Sequence, residues 1–234
     1  MKELLMCGKN TVIEAYNNNI KFKKIYLSKK ENLNYFKNSK INIEIKDLNF
    51  LDTLTNENHQ GFIGIVNGIQ YQDINFLLKN KPENILILDH IQDPHNLGAI
   101  IRTANAAGIN NIILPKEKCA DINSTVFKVS SGGTINMNFY KVNSLSATIT
   151  KLKKENYWVY ATVLNEKSVS HTNIQYNKPT AIVLGSEGDG VSKSVLSVCD
   201  EFVYIKQKGT VQSLNVSVAT GIILFDLINK NDKN

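Results

Sequence analysis

The sequence contains little cysteine, with three such residues in a chain of 234. Cys7, Cys119 and Cys199 lie far apart, which excludes a CxxC metal knuckle and a dense disulfide framework. Such sparse cysteine is typical of a reducing compartment. No activating partner stands near Cys119 or Cys199 in the sequence, so we predict that both pack as small hydrophobic side chains and that neither is a catalytic nucleophile.

Long hydrophobic runs are also absent. The longest apolar stretches fall short of the roughly 18 residues that a membrane-spanning helix needs. The opening segment, MKELLMCGKN, lacks the uninterrupted apolar region of a signal peptide. Hydrophobic residues nevertheless make up 42% of the chain, which is enough for a substantial core. We therefore predict a soluble, cytoplasmic protein with no membrane partner.

Acidic residues are fewer than basic ones, 21 against 27, and the formal net charge is +6. This balance favours an anionic partner, and nucleic acid is the commonest one for a soluble chain of this size. The sequence is also rich in lysine, asparagine and isoleucine throughout, which a codon bias would produce without any binding role. Charge alone leaves both explanations open.

The order of apolar and polar segments predicts two domains and a linker. Residues 1–70 form a small α/β domain, in which GKNTVIEAYNNN has helical spacing and KFKKIYLS, INIEIK and HQGFIGIV resemble strands. Residues 71–83 are polar at both ends and are predicted to be a linker. From residue 84 to 234 strands such as ILILDH and TAIVLG alternate with helices, which predicts a mostly parallel sheet covered on both faces.

A first candidate constellation, LDHIQDPHNLGAIIRTANAAG, runs from a strand end through a loop into a helix that ends at Gly108. Ligand sites of parallel sheets collect beyond the carboxyl ends of strands. We expect Asn96 to cap this helix. Arg102 would project from a stripe of small residues, where a phosphate or carboxylate could approach it. The alternative is a surface arginine that pairs with Asp89 or Asp93.

The same loop contains Asp89, His90, Asp93 and His95, residue types that bind zinc or manganese. A metal-dependent hydrolase is therefore a further alternative. The loop lacks the i, i+4 helical spacing that makes an HExxH motif persuasive, so we favour a site without metal.

Two more strand ends carry candidate residues. AIVLGSEGDGVS places Gly185 and Glu187 after a buried strand, in a pattern that is neither the dinucleotide fingerprint nor the phosphate loop; a plain turn is the alternative. KGTVQSLNVSVATGIILF opens the last helix, where we expect Ser213 to be the N-cap and Asn215 to be the second helical residue. The three strand ends offer groups that bind and orient a substrate and lack a covalent nucleophile with its base.

Three ordered segments, DPHNLGAIIRTANAAG, VLGSEGDGV and IKQKGTVQSLNVSVATG, resemble the motifs of the SpoU (TrmH-type) RNA ribose 2′-O-methyltransferases. The N-terminal region, more loosely, is similar to the family's substrate-binding domain of ribosomal-protein L30e type. The full-length arrangement is most similar to members that methylate a guanosine ribose in 23S ribosomal RNA. Transfer RNA is the alternative substrate, and a non-catalytic RNA-binding protein that retains the fold is the alternative function.

The resemblance implies a SPOUT fold with a deep trefoil knot in the C-terminal domain, a homodimer, and S-adenosylmethionine as the methyl donor without a metal. Matching positions assign cofactor binding to Gly185, Ile205 and Leu214. They assign catalysis and RNA contact to a second set of polar residues: Asn96, Arg102, Glu187, Ser213 and Asn215. Because an arginine side chain stays protonated in proteins, we expect Arg102 to act as a phosphate clamp and not as the base.

Overall fold

The computed structural model describes residues 3–37, 40–211 and 213–231. The N-terminal part contains the strands β1 (Glu3–Cys7), β2 (Phe22–Leu27), β3 (Asn42–Ile45) and β4 (Phe62–Asn67). They form a four-stranded sheet in the order β1-β4-β2-β3, in which β4 is antiparallel to both neighbours and β2 is parallel to β3. The helices between them are α1 (Lys9–Asn17), a 3₁₀ helix (Lys30–Phe36) and α2 (Leu48–Leu54).

The segment predicted as a linker contains a helix, α3 (Ile74–Asn80), which Asp73 caps by accepting a hydrogen bond from the Asn75 amide at 2.7 Å. Leu77 of this helix is fully buried in the core of the larger sheet. The Gln72 amide donates to the Phe139 carbonyl at 2.8 Å. The segment is thus packed against the C-terminal part of the chain. The boundaries at residues 70 and 83 stay predictions.

The C-terminal part is built on a seven-stranded, wholly parallel sheet, which confirms the predicted α/β class. Its strand order is β7-β6-β5-β10-β8-β11-β9. The strands are β5 (Asn84–Asp89), β6 (Asn111–Pro115), β7 (Asn138–Val142), β8 (Trp158–Thr162), β9 (Val169–Ser170), β10 (Thr180–Gly185) and β11 (Glu201–Tyr204). The helices are α4 (Pro94–Ala106), α5 (Ser124–Ser130), α6 (Leu145–Lys154), α7 (Lys193–Leu196) and α8 (Val216–Asn231).

Helices cover both faces of this sheet, as the continuous apolar strands predict. Leu86 and Leu88 of β5 belong to a core shared with α4, α8 and the N-terminal sheet. Ile85 and Ile87 point to the opposite face, into a core shared with α3 and α6. The knot that the resemblance implies stays a prediction. Within the described residues, no helix combines the length and apolar character needed to cross a bilayer.

Two predicted helix caps are wrong, and both corrections concern site residues. Asp93 caps α4 by accepting from the His95 amide at 2.9 Å, because Pro94 occupies the first helical position and Asn96 already lies inside the first turn. The last helix begins at Val216, so Asn215 and not Ser213 is its N-cap; Asn215 Oδ1 accepts from the Ser217 amide at 2.9 Å. Asn96 is therefore left free to bond elsewhere.

Candidate functional site

A cavity of about 810 Å³ opens at the carboxyl ends of β8, β10 and β11. The three strands end side by side because β10 and β11 both pair in parallel with β8. The predicted cofactor residues Gly185, Ile205 and Leu214 all line this cavity, together with Glu187 and Ser213. Apolar side chains at its edge include Leu164 and Val211, which are 76% and 64% exposed. The cavity thus combines backbone groups, apolar surface and two carboxylates, those of Glu187 and Asp189.

Gly185 lets the loop after β10 fold tightly beside the strand. A Cβ atom there would lie 2.0 Å from the carbonyl carbon of Gly190 and 2.2 Å from the Val191 nitrogen, so no other residue fits this backbone. Ser186 and Gly190 exchange backbone hydrogen bonds of 3.2 and 3.0 Å, and Gly190 has a positive φ of 66°. This closure holds Glu187 at the exposed tip of the loop.

Asn96, Glu187 and Asn215, which come from the three separate motifs, form one hydrogen-bonded group. Glu187 Oε1 accepts from Asn96 Nδ2 at 2.9 Å and from Asn215 Nδ2 at 2.6 Å. Asn215 Nδ2 also donates to Asn96 Oδ1 at 3.0 Å. Asn96 is 9% exposed, whereas Glu187 and Asn215 are open to solvent. The group ties the start of α4, the loop after β10 and the start of α8 together at the rim of the cavity.

The cap of the last helix fixes the orientation of the two amides. A backbone N–H group can only donate, so the Asn215 side-chain atom that faces the Ser217 N–H must be the oxygen Oδ1. Its Nδ2 then faces the Glu187 carboxylate, which as an anion only accepts, and Asn96 follows with the same sense. One residue therefore starts the helix and positions the carboxylate.

The acidic residues of the loop after β5 accept hydrogen bonds that stabilise the loop and the start of α4. Asp89 is fully buried and accepts hydrogen bonds from the Ser192 amide at 2.7 Å and from His90 Nδ1 at 2.5 Å. Asp93 is occupied as the cap of α4. Across residues 3–37, 40–211 and 213–231, no group of three or more His, Cys, Asp or Glu side chains is arranged to hold a metal ion.

Arg102 lies outside the cavity of its own chain. The guanidinium is exposed and borders a second depression of about 430 Å³, which Asn10, Ile13, Glu14 and Asn17 of α1 line from the other side. The predicted alternative, a pair with Asp89 or Asp93, is wrong: Arg102 Nη1 instead faces the Ser131 hydroxyl at 3.4 Å. The structure thus joins Asn96, Glu187, Ser213 and Asn215 with the three cavity residues and leaves Arg102 at the junction of the two sheets.

The cysteines pack as predicted. Cys119 and Cys199 are partly buried, and burial raises the pKa of the Cys119 thiol to about 11 and that of the Cys199 thiol to about 12. Both thiols are therefore protonated at neutral pH and poor nucleophiles. Glu14 and Ser131, in contrast, were not singled out by sequence reasoning, since an isolated Glu on an amphipathic helix and a Ser after another carry no motif.

Two family models match the chain. The SpoU rRNA Methylase family matches residues 83–225, and the RNA 2′-O ribose methyltransferase substrate binding family matches residues 5–72. A TrmH family tRNA/rRNA methyltransferase of Staphylococcus aureus (strain COL) is 34% identical over 242 residues, which cover 98% of this chain and 97% of the relative. The similarly named protein of Staphylococcus haemolyticus is 31% identical, with 98% and 97% covered.

Solved structures show the same likeness. An AdoMet-bound rRNA methyltransferase from Sinorhizobium meliloti has a TM-score of 0.76 and 27% identity, over 97% of this chain and 87% of that one. The A. aeolicus TrmH/SpoU tRNA modifying enzyme has a TM-score of 0.59 and 30% identity, over 68% of this chain and 85% of that one.

Proposed function

This chain belongs to the SpoU (TrmH) family of RNA 2′-O-ribose methyltransferases, and from that premise we propose that it methylates a guanosine ribose in 23S ribosomal RNA with S-adenosylmethionine as donor. One observation carries the methyl-transfer part of the proposal: the Asn96, Glu187 and Asn215 side chains bond to one another at the rim of the cavity that Gly185, Ile205 and Leu214 line. The choice of a guanosine in 23S rRNA follows the resemblance of the two-domain arrangement. We also propose that the reaction takes place in the cytoplasm.

The cavity suits the methyl donor. Gly185 lets the Ser186–Gly190 loop fold back beside the strand end, and this loop lines the cavity, where its backbone groups can meet a ligand. Ile205, Leu214 and Val211 supply apolar surface for an aromatic base, and Glu187 brings a negative charge to the same space. S-adenosylmethionine supplies an activated sulfonium methyl group.

The reaction itself demands positioning, because a ribose hydroxyl is a weak nucleophile at neutral pH. We assign to the group of Asn96, Glu187 and Asn215 the task of holding three chain segments in one arrangement when RNA binds. Because Arg102 lies outside the cavity of its own chain, we assign its role within the proposed homodimer: Arg102 of one copy is the clamp for the phosphate next to the ribose that reacts at the other copy's cavity, and it stabilises negative charge that develops on the oxygen. Its guanidinium makes no ion pair with the described residues, so its charge is available to an anion.

A homodimer is part of the proposal. Val218, Ile222 and Phe225 follow one another along α8 at helical spacing, and Val218 and Phe225 are 52% and 44% exposed. An apolar stripe of this kind on the last helix is suited to pack against a second copy. Light scattering should give twice the chain mass of 26.2 kDa.

The decisive test is transfer of tritium from labelled S-adenosylmethionine to unmodified transcripts of 23S rRNA, 16S rRNA and transfer RNA, followed by mapping of the methylated nucleotide. The proposal expects label on one guanosine ribose of 23S rRNA, and the label should be unaffected by EDTA. Label on transfer RNA would show that transfer RNA, and not 23S rRNA, is the substrate. RNA binding without any transfer would favour a non-catalytic RNA-binding protein.

Asn215 has two separable roles, and a pair of variants distinguishes them. Asn215→Ser keeps a capping side chain, so its free energy of unfolding should stay within a few tenths of a kcal/mol of the wild-type value. Asn215→Ala should lower the free energy of unfolding by about 1 kcal/mol. Both variants remove the hydrogen bonds that the Asn215 side chain donates to Asn96 and Glu187, so both should lower methyl transfer about 10²-fold. Denaturant unfolding and single-turnover assays measure the two effects. Full activity of Asn215→Ser would show that these side-chain hydrogen bonds are dispensable.

A further inference from the structure

Two opposite charges lie on either side of one hydroxyl at the junction between the substrate-binding part and the large sheet. Ser131 Oγ donates to Glu14 Oε1 of α1 at 2.8 Å, and Arg102 Nη1 of α4 donates to the same Oγ at 3.4 Å. Glu14 and Arg102 form no direct ion pair within the described part of the chain. The hydroxyl therefore stands between a carboxylate and a guanidinium that would otherwise attract each other.

The direction of the Ser131 hydroxyl follows from its partners. A hydroxyl has one proton, and the carboxylate at 2.8 Å is the stronger acceptor than the Lys128 carbonyl at 3.4 Å. With the proton committed to Glu14, a lone pair of Ser131 Oγ faces Arg102 Nη1. Glu14 thus sets the orientation of the group that meets the guanidinium.

The backbone around Ser131 packs closely between the end of α1 and α4. A Cβ at Gly132 would lie 2.8 Å from Asn18 Cβ, and a Cβ at Gly133 would lie 2.8 Å from Arg102 Cα. Gly132 and Ser131 both have positive φ values, 86° and 46°. Adjacent glycines thus bring this segment into direct contact with the end of α1 and with α4, so that the spacing between Glu14 and Arg102 is set by the fold.

We propose that Ser131 is a positioning residue for Arg102 and that Glu14 is the carboxylate that competes for it: the Ser131 hydroxyl keeps the Glu14 carboxylate from pairing with the guanidinium, which stays weakly held until an RNA phosphate binds it. The proposal rests on the clamp role proposed above for Arg102. It also links α1 to the reaction, because this helix of the substrate-binding part carries the carboxylate that competes for Arg102. Without the hydroxyl, Glu14 and Arg102 can close into a direct pair.

The test is a double-mutant cycle on the whole chain of residues 1–234. Ser131→Ala should lower kcat/KM for RNA about three- to fivefold, the range expected when an exposed ion pair competes for the arginine. The salt slope of RNA binding should fall by up to about one unit, as if one phosphate contact were lost. Glu14→Gln removes the competing charge, so Ser131→Ala with Glu14→Gln should recover both quantities.

A matched control is Ser197→Ala, which removes a hydroxyl that donates to the Ser194 carbonyl three residues earlier on α7. Its kcat/KM and salt slope should equal those of the wild-type chain. Failure of the double variant to recover, or no effect of Ser131→Ala, would overturn the proposal. If the wild-type chain binds 23S rRNA but methylates no transcript, the proposed function fails, and the salt slopes alone then decide whether Glu14 competes for Arg102.

Discussion

Arg102→Ala is expected to lower RNA methylation by about 10²-fold or more, the usual loss when a group that stabilises transition-state charge is removed. S-adenosylmethionine binding should persist, because Arg102 does not line the cavity that holds Gly185, Ile205 and Leu214. Stability should change by no more than about 0.5 kcal/mol, since the side chain is exposed and makes one long hydrogen bond to Ser131. Single-turnover transfer and calorimetric titration with the donor measure the two properties.

Arg102→Lys sharpens this experiment, because lysine keeps the charge and loses the planar fork that contacts two phosphate oxygens. Compared with Arg102→Ala, the Arg102→Lys variant should regain more of the RNA affinity than of the rate of methyl transfer. Lys151→Ala, on the exposed side of α6, is a control for loss of one positive charge and should leave both unchanged. If Arg102→Ala abolishes donor binding as well as transfer, the arginine supports the fold and the clamp role is wrong.

Gly185→Ala is expected to weaken S-adenosylmethionine binding by about 10²-fold. The added methyl would lie 2.0 to 2.2 Å from backbone atoms of Gly190 and Val191, and no side-chain rotation can relieve a contact with backbone. The loop must move away, which should also lower the free energy of unfolding by about 1–3 kcal/mol, the usual penalty for overpacking. Calorimetry with the donor and denaturant unfolding measure the two effects.

Gly209→Ala is the matched control, because a Cβ at that position meets no atom within 4 Å and the residue does not line the cavity. Donor affinity and stability should match those of the wild-type chain. Normal donor binding by Gly185→Ala would show that the Ser186–Gly190 loop relaxes without disturbing the cavity, and the proposed role of this glycine would then be wrong.

The regular parts of the larger sheet could be predicted because short-range patterns determine them. TAIVLG coincides with β10, and the helix after β5 ends before Gly108 as expected. Cap positions were harder to predict: Asp93 precedes a proline that fixes the first turn, and Ser213 has the same capping chemistry as Asn215 two residues later. Sequence preference alone does not choose between two good caps.

Contacts between distant segments were beyond sequence reasoning. Glu14 and Ser131 are 117 positions apart, and their bond depends on how α1 docks beside α5. The same holds for α3, where a segment that is polar at both ends contains the helix INFLLKN, whose Leu77 is fully buried against the larger sheet. The motifs placed Asn96, Glu187 and Asn215 at strand ends, but only the fold shows that separations of 91 and 119 residues close into one hydrogen-bonded group.

The strand order β5-β10-β8 has a kinetic consequence. β10 pairs with both β5 and β8, so the middle of the sheet cannot close until a strand that comes after both of them in the chain inserts between them. Before insertion, two apolar strands have unpaired edges that other chains could bind. Refolding from denaturant should therefore be slow and prone to aggregation at high protein concentration, with the sheet made by the first 67 residues forming ahead of the larger one.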